Sequence, residues 1–116
     1  MLTDKNALWG NTAMIVLKLL EKNDMYGYQI IDEIYKKSGD VFNLKTGTLY
    51  PILHTLERDG MVSSYDETAE NQRVRKYYQL TSKGKKMLET KESEWQSYVI
   101  AVNRLLGVGD EYALAR

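Results

Sequence analysis

Thr46-Gly47-Thr48-Leu49-Tyr50-Pro51-Ile52-Leu53-His54-Thr55-Leu56-Glu57-Arg58-Asp59-Gly60-Met61-Val62 is the stretch whose reading decides the fold. Leu49, Ile52, Leu53 and Leu56 fall at i, i+3, i+4 and i+7, the apolar stripe of a helix lying between Thr46 and Asp59. Thr48, Tyr50, Pro51, His54, Thr55 and Arg58 occupy the opposite, wet face. Gly60 ends the helix. Pro51 presses its ring on the carbonyl of Gly47 and biases Tyr50 away from helical dihedrals, which predicts a strained or late helix start.

Downstream, 61–65 and 74–80 are rich in β-branched and aromatic residues and read as two strands joined by a polar tip, 66–73. Tyr78 and Leu80 alternate with Tyr77 and Gln79, so one face of this hairpin packs and the other is wet. A small β-hairpin directly after a helix is a wing.

Upstream, Ile30, Ile31, Ile34 and Tyr35 repeat with helical spacing, with Asp24 as the expected N-cap near Tyr26. Ser38-Gly39-Asp40 stops that helix, and Phe42 and Leu44 are expected to anchor the connection to the next. An earlier helix runs from about Lys5 to Lys22. From Ala13 to Leu20 only Lys18 is polar. A helix apolar nearly all round needs cover on two sides, and a chain of this size offers one core. A partner subunit on the first helix, around Ile15, is therefore predicted.

Thr81 is expected to cap a last helix that reaches about Leu106. Leu88, Trp95 and Val102, with Tyr98 and Leu105 offset, keep a 4-3 spacing. At ~1.5 Å per residue this rod measures roughly 39 Å, more than its own body can cover. Homodimerisation through Ile15, Leu88, Trp95, Tyr98, Val102 and Leu105 is the economical solution. The fold class is thus mainly α with a small β-hairpin: a winged helix-turn-helix over 1–80, a dimerisation helix over 81–107 and a tail, 108–116.

Composition narrows the function. The 116 residues suffice for one core, and 43% apolar with 28% charged residues marks a globular chain. No apolar run is long enough to span a membrane, and the N-terminus lacks the features of a signal peptide, which predicts a cytoplasmic protein. The absence of cysteine removes disulfides and thiolate metal sites. One histidine makes a histidine-based metal site a poor expectation, so neither metal nor cofactor is predicted. No nucleophile or carboxylate constellation surrounds His54, so an enzyme is not expected. Sixteen basic and sixteen acidic residues cancel. The cations are nevertheless clustered: Arg73, Arg75, Lys76, Lys83, Lys85 and Lys86 lie between Asn71 and Leu88, where no acid stands. Such a run is either a solvated face or a footprint for nucleic acid, and net neutrality excludes neither.

Three segments in register sharpen the choice: 26–30 (Tyr26-Gly27-Tyr28-Gln29-Ile30), 47–62, and 75–84 from Arg75-Lys76-Tyr77-Tyr78-Gln79-Leu80-Thr81 through Gly84. In order and separation they resemble the PadR family of winged helix-turn-helix regulators across roughly 7–106. The single C-terminal helix resembles the short subfamily, in which that helix packs on the partner's first helix. The resemblance implies a transcriptional repressor that releases double-stranded DNA on binding a small, planar aromatic effector.

Carried onto this chain, it implies a third helix in the major groove. Lys45, Thr46, Thr48, Tyr50, Pro51 and His54 would then lie nearest DNA, assisted by Tyr28 and Gln29, with Arg73, Arg75 and Lys76 of the wing on the phosphates. Two features run against a strongly basic reader: the wing tip carries Asp66, Glu67 and Glu70, and the third helix has no arginine at its centre to grip guanine. Shape and phosphate contacts are therefore expected to outweigh a dense base code. The alternative function is a winged-helix protein-interaction module without sequence-specific DNA binding. Trp95 likewise has two readings. It is a packing anchor, or it lines with Trp9, Gly10, Met14 and Val99 a pocket at the dimer centre for a flat ligand.

Overall fold

A computed structural model of the chain describes residues 5–108, with side chains from residue 11 onward. Its elements run α1 (Lys5–Lys22), β1 (Met25–Tyr26), α2 (Gly27–Lys37), α3 (Thr46–Arg58), β2 (Val62–Thr68), β3 (Val74–Leu80) and α4 (Ser82–Leu106). The three strands form one antiparallel sheet in the order β1-β3-β2.

The stripe on α3 does what its spacing demands. Leu49, Ile52, Leu53 and Leu56 are buried and meet Val16, Leu17, Ile30, Ile34, Val62, Tyr78 and Leu88 in a single core. Gly60 follows α3 with φ +80°, and Gly39 follows α2 with φ +62°, both left-handed positions that glycine adopts without Cβ strain. Thr81 is the N-cap of α4: its hydroxyl accepts from the Gly84 N–H at 3.0 Å and donates to the Gly60 carbonyl at 2.7 Å. That second bond ties the end of α3 to the start of α4.

Several expectations need correction. α3 does not start late. Lys45 takes the extended N-cap conformation, and Thr48 and Leu49 already donate to its carbonyl at 2.9 and 3.0 Å. Pro51 sits in the helix interior, where it leaves the Gly47 carbonyl without its usual donor. Gly47 is exposed, which leaves that group open to solvent rather than orphaned in the core. Asp24 does not cap α2. Tyr26 stands at the N-cap with the Gln29 amide oxygen accepting from its N–H at 3.3 Å, and the Asp24 carboxylate accepts instead from the Tyr65 hydroxyl at 2.7 Å. Tyr26 also closes β1, a third strand of two residues that pairs Met25 with Tyr78 and Tyr26 with Tyr77. Of the two residues expected to anchor the connection after α2, Leu44 packs on the core and Phe42 is exposed.

The argument from α1 also changes. Ala13, Val16, Leu17, Leu19 and Leu20 are all buried within this one chain, and Met14 and Ile15 are half-buried against its core. Their second cover is α4, which folds back along α1 and is pinned there by a Lys18–Glu92 ion pair at 3.2 Å. The apolar circumference of α1 therefore does not require a second subunit. Leu88, expected at an interface, is 0% exposed in the chain's own core and offers nothing to a partner.

Candidate nucleic-acid interface

Residue alternation along β3 divides its cations. Val74, Lys76, Tyr78 and Leu80 share one face of the strand, and Arg75, Tyr77 and Gln79 share the other. On the first face Tyr78 is buried and Lys76 reaches Glu57 of α3 at 3.4 Å, with its ammonium 5.6 Å from the centre of the Tyr78 ring. Glu57 also accepts a short hydrogen bond from the Ser64 hydroxyl. That bond, and secondarily the Lys76 charge, hold its carboxyl below the usual value. One carboxylate thus clamps α3 to both strands of the wing.

On the second face Arg75 lies over the Tyr26 ring, its guanidinium carbon 4.4 Å from the centroid. Tyr26 meets Tyr77 edge to face at 5.4 Å, and Tyr77 stacks on Tyr65 at 5.7 Å. The bond to Asp24 pushes the Tyr65 hydroxyl up to about 12.

Pairing with β1 stops at Tyr77 and Tyr78, whereas β2 continues alongside β3 to Val74. The outer edge of 74–76 is left open, and there a cleft of about 480 Å³ separates the wing from α2 and α3. Tyr26, Tyr28, Tyr50, Arg73, Val74, Arg75, Lys76 and Tyr78 line it. Five residues expected at DNA (Tyr28, Tyr50, Arg73, Arg75 and Lys76) meet in this one place. Lys45, Thr48, Pro51 and His54 lie exposed along α3, with Thr46 half-buried at its first turn, while Gln29 is exposed on α2. None of these six lines the cleft. Three cations and four phenols face it, and no carboxylate does. The acids Glu67 and Glu70 border a second hollow at the wing tip, which Arg75 and Tyr77 also line, and Glu67 stands opposite Arg75 in the sheet register. Among the described residues neither Arg73 nor Arg75 has a carboxylate within ion-pairing distance. Such a surface suits a polyanion that also presents flat sugar and base edges.

Sequence reasoning missed Tyr26, which faces the cleft and supports Arg75. Its signal was position: the residue before Gly27 had to take extended backbone and so was free to pair with β3. Tyr50 reaches the same cleft because Gly27 has no side chain beneath it.

The second expected site lies on α4. Trp95 is 42% exposed, its ring 5.9 Å from that of Tyr98. Val99 and Val102 are half-buried on the helix face that continues from Leu88 through Glu92. Tyr98, Ile100, Leu105 and Leu106 are exposed, and Met14 and Ile15 are half-buried on α1. Trp9 and Gly10 stand on α1 before residue 11, outside the residues whose side chains are described. Among the described residues no group of three or more potential metal ligands is assembled, and no helix is long and apolar enough to cross a membrane.

The family model described as the transcriptional regulator PadR-like family matches residues 16–90. An uncharacterized protein of Lysinibacillus sphaericus is 35% identical over 86 residues, which is 74% of this chain and 79% of that protein. A transcriptional regulator from Clostridium thermocellum superposes with a TM-score of 0.78 at 32% identity, covering 86% of this chain and 97% of that one. A PadR family transcription regulator from Clostridium difficile gives 0.69 at 34% identity, covering 81% and 96%.

Proposed function

The chain belongs to the PadR-like family of transcriptional regulators, and from that premise we propose that it is a cytoplasmic, ligand-responsive repressor that binds double-stranded DNA as a homodimer. The cleft between α2, α3 and the wing is the observation that carries the DNA assignment. It gathers Arg73, Arg75 and Lys76 with Tyr28 and Tyr50, and no acid lines it. The exposed residues Lys45, Thr48, Pro51 and His54 extend the same surface along α3 toward the major groove, with Thr46 at its start and Gln29 assisting from α2. The acidic tip, with Asp66 and Glu67 opposite Lys76 and Arg75 in the sheet, favours a protein-interaction module, whereas the lining of the cleft, which includes no carboxylate, favours DNA.

The dimer rests on the distal half of α4, where Trp95, Tyr98, Ile100, Leu105 and Leu106 present more apolar surface than an isolated rod in water tolerates well. In the dimer Trp95 and Val99, with Met14, Trp9 and Gly10 of the first helices, enclose a planar aromatic effector. The effector releases DNA only if it prefers the dimer geometry in which the two recognition helices are wrongly spaced.

Anisotropy titration of labelled duplex across a salt series tests the assignment. Binding should fall steeply with salt, and Arg73→Ala and Arg75→Ala should each flatten the slope by about one charge. Lys76→Ala should flatten it less, because Glu57 already neutralises part of that charge. Unchanged affinity in all three variants refutes the interface. For the effector, tryptophan quenching by flat phenolic compounds should disappear in Trp95→Ala. Quenching that persists there removes the pocket.

A further inference from the structure

Resting on the reading of the cleft as a DNA interface, we propose that Tyr26 is the positioning residue for Arg75, its ring holding the guanidinium at the cleft wall where a phosphate is met. Arg75 is a long side chain that would otherwise lose much rotamer freedom when it engages DNA. Here the guanidinium is already placed 4.4 Å from the Tyr26 centroid, well inside cation–π range. Among the described residues no carboxylate is within ion-pairing distance of it, and Glu67, opposite it on β2, is not drawn into contact, so its donors are not engaged by an ion pair.

The ring beneath it is fixed from three directions. Its backbone caps α2, with the Gln29 side chain accepting from its N–H. Its strand pairs with Tyr77 in β3. Its edge abuts the Tyr77 ring, which stacks on Tyr65, whose hydroxyl is anchored on Asp24. Motion of Arg75 is thereby referred to the start of α2, so the wing cation and the helix-turn-helix keep one spacing.

Lys76 makes the contrast. It lies on the opposite strand face, is bound to Glu57, and rests on Tyr78 rather than on Tyr26. The two adjacent cations therefore differ in role: Arg75 is presented to the ligand, and Lys76 fastens the wing to α3.

The test is a double-mutant cycle on the full chain, read by anisotropy with a labelled mixed-sequence duplex at low salt, where phosphate contacts dominate. Tyr26→Phe keeps the ring and should bind within about twofold of wild type. Tyr26→Leu should weaken binding roughly two- to fivefold. In an Arg75→Ala background Tyr26→Leu should cost nothing further. Equal losses in both backgrounds, or Tyr26→Phe as damaging as Tyr26→Leu, overturn the proposal. The Arg75 side-chain NMR resonance supplies a readout independent of DNA. Ring current should shift it upfield in wild type and in Tyr26→Phe. A random-coil shift in the folded wild type overturns the proposal even if Tyr26→Leu proves unfolded by circular dichroism. A wild type that binds no duplex at all overturns the interface reading and this proposal together, whereas tight wild-type binding with additive losses overturns this proposal alone.

Discussion

The phenol of Tyr50 on α3 lies against the bare Cα of Gly27 at the first position of α2: a Cβ built on Gly27 would stand 2.7 Å from Tyr50 Cζ. Something must move if that Cβ is added, and the mobile party is the exposed end of Tyr50 rather than backbone. Gly27→Ala should therefore fold. Its stability should change by no more than about 1 kcal/mol, since alanine's better helix propensity offsets part of the clash. Affinity for operator DNA should fall about fivefold, the worth of one hydrogen bond, as in Tyr50→Ala. Combining the two substitutions should cost no more than Tyr50→Ala alone. Additive losses would mean that Gly27 acts through the helix and not through Tyr50.

Gly84 has a harder neighbour. A Cβ there collides with the carbonyl of Met61, whose carbon would be 3.0 Å away, and backbone cannot swing aside. Gly84→Ala should cost about 3 kcal/mol, the upper end of overpacking, and lower Tm by roughly 10 °C. Gly47 offers the opposite case, with open space around its Cβ position in the second residue of α3. Gly47→Ala should raise stability by about 0.5–1 kcal/mol. Thermal melts of the two variants moving in the same direction would contradict the packing described.

Glu57 gives the clamp a pH signature. Its carboxyl titrates below its ordinary value of 4.5, first because Ser64 donates to it. A group with a depressed folded pKa contributes stability that is fully present above its unfolded pKa and lost as pH falls through the folded one. Wild type should therefore exceed Glu57→Gln in stability at neutral pH, with the gap closing below about pH 4.5. Ser64→Ala should shrink the same gap. Urea midpoints at pH 7 and pH 3 measure it, and a gap that does not narrow between them would rule out the ionised carboxylate as its source.

What could be read from the sequence was what depends on near neighbours. The stripe from Leu49 to Leu56, the Thr81 cap and the alternation of Tyr77 with Tyr78 each follow from a period or a cap a few residues long. What escaped depends on partners far along the chain. Met25 and Tyr26 are too few to show a strand pattern and become one only because Tyr77 and Tyr78 lie beside them. Asp24 has the chemistry of a cap, yet Tyr65, 41 residues away, takes its carboxylate. The apolar circumference of α1 announced two covers without saying that one would be its own α4. Leu88 had the spacing of a seam residue, and only the return of α4 along α1 turns it inward. The candidate interface shows the same division: Tyr50, Arg75 and Lys76 could be named through the family resemblance, whereas the different surroundings of Arg75, over Tyr26, and Lys76, beside Glu57, appear only in the folded chain.

The distal part of α4 yields the sharpest test of assembly. Leu105 is 88% exposed and Leu106 69% exposed in the single chain, so neither supports its fold. Val102 is half-buried, so a charge there would confound folding with association. Leu105→Glu with Leu106→Glu is the cleaner pair. Full burial of a leucine contributes about 1.5–3 kcal/mol, and a twofold interface counts every residue twice. Four buried leucines replaced by four carboxylates should abolish association at micromolar concentration while the circular dichroism spectrum and the core remain those of wild type. Sedimentation should then show a wild-type dimer and a folded mutant monomer. On DNA the monomer should still fill one half-site but lose the joint occupancy of two half-sites about 34 Å apart on one face of the duplex. A wild type that sediments as a monomer, or a double mutant whose dimer dissociates no more readily, would assign the exposed leucines some role other than self-association.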